Sequence, residues 1–106
     1  MNAVLAIRAE LTQDDVLTVV TGLVATVLSL PPGEVTPEAR LLDDLGAESI
    51  DLLDLRFRIE DALGLKVSAE GFIEVCGRGL SPSEFRGAFT VSALAMYLAA
   101  RLGARR

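Results

Sequence analysis

The chain has 106 residues, 51% of them hydrophobic and none of them histidine, and carries a formal net charge of −5 at pH 7. That length supports one compact domain with a small core and is too short for two. Without histidine the chain lacks the usual general base and the commonest transition-metal ligand, which excludes Ser/His and Cys/His enzymes.

The charge is uneven. Glu34 to Asp61 holds nine acids against Arg40, Arg56 and Arg58, whereas Ala62 to Arg106 holds six bases against three acids. An acidic middle repels nucleic acid and attracts basic protein surfaces. Met1 to Glu10 has no basic start leading into an apolar core. The apolar run Val16 to Leu30 is interrupted by Thr18, Thr21, Gly22 and Thr26 and falls short of the roughly 18 to 20 residues of a membrane span. A soluble cytoplasmic protein, monomeric by default, is expected. No repeat or low-complexity stretch is present. The single cysteine, Cys76, has Phe72, Ile73 and Val75 nearby and reads as a buried free thiol.

In chain order, Thr12 followed by Asp15 marks a helix start, because a Thr side chain accepts from a free backbone N–H and an early acid suits the positive helix end. Val16, Val19, Val20, Leu23, Val24, Val27 and Leu28 then follow helical spacing, and Pro31-Pro32-Gly33 ends the run. Glu34 to Glu48, with Leu41-Leu42 and Asp43-Asp44, reads as a long loop pinned to the core by its leucines. Ser49 is expected to cap a second helix running to Gly64, a glycine suited to a left-handed C-terminal cap.

Lys66 to Phe89 is irregular, broken by Gly71, Gly77, Gly79 and Gly87, yet holds three of the four phenylalanines. Ser68 is a candidate cap for a short turn. Ser81-Pro82-Ser83-Glu84 combines a capping box with Pro at the first helical position and predicts a short helix over Pro82 to Ala88. Thr90 caps a last helix with Val91, Leu94, Leu98 and Leu102 on one side, before Gly103 and a basic tail, Arg105-Arg106, expected to fray. No segment alternates like a strand, so the fold class is all-α: a small four-helix bundle with a long loop between its first two helices and an enlarged, irregular segment before the last.

Winding the second helix at 100° per residue puts Leu52, Leu55, Ile59, Ala62 and Leu63 on one stripe, the ordinary core face. Asp51, Asp54, Arg58 and Asp61 fall elsewhere. Ile50, Leu53 and Phe57 form a smaller apolar strip away from that core. It either packs under the loop or the Lys66 to Phe89 segment, or serves as a docking patch with an acidic rim.

The string Leu42-Asp43-Asp44-Leu45-Gly46-Ala47-Glu48-Ser49-Ile50-Asp51-Leu52-Leu53-Asp54-Leu55 resembles the signature of acyl carrier proteins, in which an acid and a serine followed by Leu or Ile open the second helix. The resemblance extends over the first helix, the loop, the second helix and the last. It implies one acyl carrier domain over residues 1–106, with a core from about 12 to 102, that is a carrier rather than an enzyme. It also implies that a phosphopantetheinyl transferase moves 4′-phosphopantetheine from coenzyme A onto Ser49, and that the arm's thiol then holds acyl groups as thioesters for fatty acid or lipid biosynthesis. A phosphodiester at a helix N-terminus faces free N–H donors and the positive end of the dipole, which agrees with that assignment.

Glu48, Ile50, Asp51, Leu53, Asp54, Phe57, Glu60 and Asp61 are the expected docking residues for acyl-transferring, condensing or ligase enzymes with basic surfaces. Two features depart from the family pattern: Glu48 stands where Asp is usual before the serine, and Arg56 and Arg58 stand where apolar or small residues are common. The Lys66 to Phe89 segment is also longer than in ordinary fatty-acid carriers. In length and placement it is similar to that of specialised carriers of very long acyl chains for lipid A. Phe72, Ile73, Val75, Phe85 and Phe89 either extend the core to shelter a long acyl chain or close the open side of a small bundle. Two alternatives stand beside this reading: a carrier for polyketide or nonribosomal peptide synthesis, and an unmodified interaction protein on the same fold. A metal-dependent enzyme built on Asp43, Asp44 and the second helix is disfavoured, because solvent-facing acids on a helix do not converge into an oxygen cage.

Overall fold

A computed structural model describes residues 11–68 and 80–104, with the Ala104 side chain left out. Among the described residues the helices are α1, Gln13–Leu28, α2, Ser49–Leu63, α3, Pro82–Ala88, and α4, Val91–Ala104, with a single 3-10 turn at Pro32–Glu34. Ser68 lies at the edge of the described residues, so the expected turn after it, together with Phe72, Ile73, Val75, Cys76 and the tail at Arg105-Arg106, lies outside them.

Local chemistry sets each helix start. Thr12 Oγ1 accepts from the Asp15 N–H at 3.1 Å, the cap expected at the head of α1, and the Asp15 carboxylate also accepts from the Thr12 N–H at 3.0 Å, closing a reciprocal box. That bond from the Thr12 backbone, with the Thr12 hydroxyl beside it, holds the Asp15 carboxyl below its ordinary range. The same reciprocal pair joins Ser81 and Glu84 at the head of α3, and the Ser81 N–H likewise lowers the Glu84 carboxyl. Thr90 Oγ1 accepts from the Ala93 N–H at 3.0 Å to cap α4. α2 ends at Gly64 in the left-handed conformation, φ 67°, as its glycine predicts.

α1 packs against both α2 and α4. Val16, Val20 and Val24 of α1, Leu55, Ile59 and Leu63 of α2, and Val91, Leu94, Leu98 and Leu102 of α4 meet in one buried core. Each such side chain contributes about 1.5–3 kcal/mol by leaving water, so the period-3.6 stripe of each helix determines which face turns inward. Leu52 and Ala62, expected on that face, sit half-buried at its margin.

The loop after α1 is fixed by more than its leucines. Leu41 is fully buried, and Leu42 and Leu45 pack partly against the core. The loop backbone also bonds to the start of α4: Leu41 N–H to Phe89 O at 3.0 Å, Val91 N–H to Ala39 O at 3.0 Å and Ser92 N–H to Pro37 O at 2.8 Å. Arg40 and Thr90 form an isolated antiparallel bridge there, the one departure from helix and loop among the described residues. Phe85 and Phe89 stack with centroids 5.1 Å apart, Phe89 buried and Phe85 half-buried against the core.

Candidate functional site

The head of α2 differs from expectation in one respect. Ser49 is not the cap; the extended residue before the helix is Glu48, and Ser49 is already the first helical residue. The reason lies three residues on: the Asp51 carboxylate accepts from the Glu48 N–H at 2.9 Å and stabilises the turn one position earlier than a serine cap would. The consequence favours chemistry at Ser49, because its exposed hydroxyl is not spent on capping. The Ser49 and Ile50 N–H groups, in the first turn, have no intrahelical acceptor.

The approach to Ser49 is pinned on both sides. Gly46 has φ 72°, a conformation that residues with a Cβ rarely adopt, and the Ala47 N–H donates to Leu41 O at 2.9 Å. Arg40 grips Asp44 through two guanidinium bonds of 3.0 and 2.8 Å and one backbone bond of 2.8 Å. Those bonds, the guanidinium first, lower the Asp44 carboxyl to about 2 and raise Arg40. Arg86 of α3 reaches across to Asp43 at 2.7 Å. Asp43 and Asp44 are therefore both paired with arginines.

The expected docking residues divide by environment. Glu48, Asp54 and Asp61 are exposed, and Asp54 is paired with Arg58 at 3.0 Å. Asp51 is half-buried and engaged in the cap. Glu60 is half-buried, and its carboxylate accepts from the Val67 N–H at 2.8 Å. Ile50, Leu53 and Phe57 are 71%, 45% and 55% exposed, so this strip stands open to solvent beside Ser49.

Beneath the head of α2 lies an apolar cleft between α1, the loop and α2, lined by Val24, Val27, Leu28, Leu41, Ala47, Leu52 and Leu55 with Asp51 at its edge. The cleft is too narrow to admit a water molecule. No group of three or more metal-ligating side chains occurs among the described residues, and no described helix is long and apolar enough to cross a membrane.

These features define a class: a small helical bundle that presents a serine hydroxyl at a helix start, framed by acids and an exposed apolar strip. Comparison with known proteins takes the class further. Residues 18–78, more than half of the chain, match the family model described as the phosphopantetheine attachment site. The chain is 34% identical over 65 residues to the acyl carrier protein AcpXL of Brucella melitensis biotype 1, covering 61% of this chain and 70% of that one. The same figures hold for AcpXL of Brucella suis biovar 1. Identity to the acyl carrier protein of Thermotoga maritima is 38% over 55 residues, 52% of this chain and 68% of the relative. The chain belongs to the acyl carrier protein family, whose members are carriers rather than enzymes and whose cofactor is 4′-phosphopantetheine.

The residues at the head of α2 fit that group. Ser49 is exposed, and the first-turn N–H groups and helix dipole beside it suit a phosphodiester anion.

Proposed function

We propose that the chain is a single acyl carrier domain, with a core from about residue 12 to 102, and that Ser49 is the residue esterified by 4′-phosphopantetheine. The observation that carries this reading is the uncapped, exposed Ser49 hydroxyl at the first position of α2. When bound, the arm supplies a terminal thiol that holds acyl groups as thioesters. The protein's own residues hold the serine in a rigid frame: Asp51 fixes the helix start, and Arg40–Asp44, Gly46 and the Leu41–Phe89 bond fix the loop before it.

The partners are a phosphopantetheinyl transferase and acyl-transferring, condensing or ligase enzymes. They meet Ile50, Leu53 and Phe57 with apolar side chains, and Glu48, Asp51, Asp54, Glu60 and Asp61 with basic ones. Tethering raises the effective concentration of the acyl group at each docked enzyme, so selectivity resides in docking. We place the protein in cytoplasmic fatty acid or lipid biosynthesis, working as a monomer on long or unusual acyl chains. The similarity to the two AcpXL proteins and the long connection between α2 and α3 support that specialisation.

Loading the protein with an acyl group and treating it with neutral hydroxylamine tests the carrier role. Release of the acyl group as its hydroxamate supports a thioester, and retention of the acyl group overturns it. A thermal midpoint that rises with acyl chain length supports specialisation for long chains, and a flat series removes it.

A further inference from the structure

Arg56 is the side chain of α2 that carries a shielded polar atom without a hydrogen-bond partner. It is half-buried, and the atom is its Nε. The acid one turn further on, Glu60, is the ordinary helical partner for such a residue, but its carboxylate is bonded to the Val67 N–H. Arg58 is served by Asp54, whereas the Arg56 guanidinium lies over the Phe57 ring, 5.5 Å from its centroid. A shielded guanidinium donor without an acceptor costs free energy, which turning the guanidinium outward to an anion on the helix surface would recover.

Position supplies the anion. Ser49 and Arg56 are seven residues apart, two turns, and so share one edge of α2 about 10 Å apart along its axis. Side chains leave a helix tilted toward its N-terminus, so an Arg56 rotamer can extend toward the serine end. That separation is within the combined reach of a seryl phosphodiester and an arginine side chain. A guanidinium fork is the side chain best matched to phosphate oxygens.

We propose that Arg56 is the cationic contact for the phosphodiester of the arm, a positioning residue that holds the root of the arm along the Ser49–Arg56 edge of α2. This rests on Ser49 being the attachment residue. The contact complements the first-turn N–H groups: they face the phosphate from the helix end, and Arg56 from the helix side.

The test uses the full chain with and without the arm, made with coenzyme A, magnesium and a broad-specificity phosphopantetheinyl transferase and checked by intact mass. The Arg56 Nε–H resonance, assigned by its loss in Arg56→Gln, is expected to shift on loading of the unsubstituted protein. The ³¹P resonance of the loaded protein is expected to move in Arg56→Gln, to return part of the way in Arg56→Lys, and to stay in place in Arg58→Gln. A full gain in mass with an unmoved Arg56 Nε–H resonance overturns the contact and leaves Ser49 intact as the attachment site. No gain in mass overturns both.

Discussion

A serine hydroxyl that closes a helix cap is held by the backbone, and one that does not is free to react. Ser49 and Asp51 are therefore expected to respond oppositely to removal. Ser49→Ala should change stability by less than about 0.5 kcal/mol, as for an exposed side chain without a structural role, whereas Asp51→Ala should cost about 1 kcal/mol through the lost bond to the Glu48 N–H. Urea unfolding of the two variants checks this, and equal losses would mean that Ser49 does serve the helix start. Which of the two adjacent polar residues caps α2 was not legible in the sequence. Both suit that position, and the choice depends on the Asp51 bond, which requires the helix to be formed. Thr12–Asp15 and Ser81–Glu84 were legible because in each the hydroxyl residue that favours a cap is also the one with an acid three residues on, whereas at the head of α2 the serine and the residue three before Asp51 are different positions.

Asp44 provides the pH dependence at the same scale. Its carboxyl lies near 2 when folded, against an ordinary 3.8, because Arg40 bonds the charged form. A depressed carboxyl contributes its full stabilisation above its unfolded value and loses it as pH falls toward the folded one. Asp15 and Glu84, lowered in the same direction, add to the trend. Thermal midpoints should fall between about pH 4 and pH 2, and less steeply in Asp44→Asn. Parallel curves for the two proteins would show that the Arg40–Asp44 pair is not stabilising.

Among the elements, the loop from Val35 to Glu48 is held by two kinds of contact with unequal strengths. Leu41 is wholly buried, and Leu41→Ala is expected to cost about 2–5 kcal/mol, a transfer loss plus a cavity. The Arg86–Asp43 pair is half-exposed at both ends, and Arg86→Ala should cost no more than about 1 kcal/mol. Denaturant midpoints of the two variants measure the difference. Leucines in the loop were readable as core residues from their apolar character alone. The bonds from the loop to Phe89, Val91 and Ser92, and the reach of Arg86 to Asp43, were not, because they join residues about 40 to 55 apart in sequence and no local pattern records them.

On the scale of the whole molecule, the acidic middle of the chain acts as a field as well as a set of contacts. Association with the transferase should slow and weaken as salt rises to about 0.5 M, where screening confines each charge to a few Å. The slope should be shallower than the acid count implies. Asp43, Asp44 and Asp54 are paired with arginines, and Glu60 with a backbone N–H. Binding measured across a salt series tests this, and affinity independent of salt would assign docking to Ile50, Leu53 and Phe57 alone. The helical class and the three long helices followed from period-3.6 stripes, which determine a core whatever its partners. The exposure of the apolar strip did not, since only packing decides whether a second stripe is covered.

The central claim is that Ser49 receives the phosphopantetheine arm, and intact mass before and after incubation with coenzyme A, magnesium and a broad-specificity transferase tests it most directly. A gain of one phosphopantetheine that is absent in folded Ser49→Ala is the expected result. A gain that persists in Ser49→Ala, or no gain with several transferases, would contradict it.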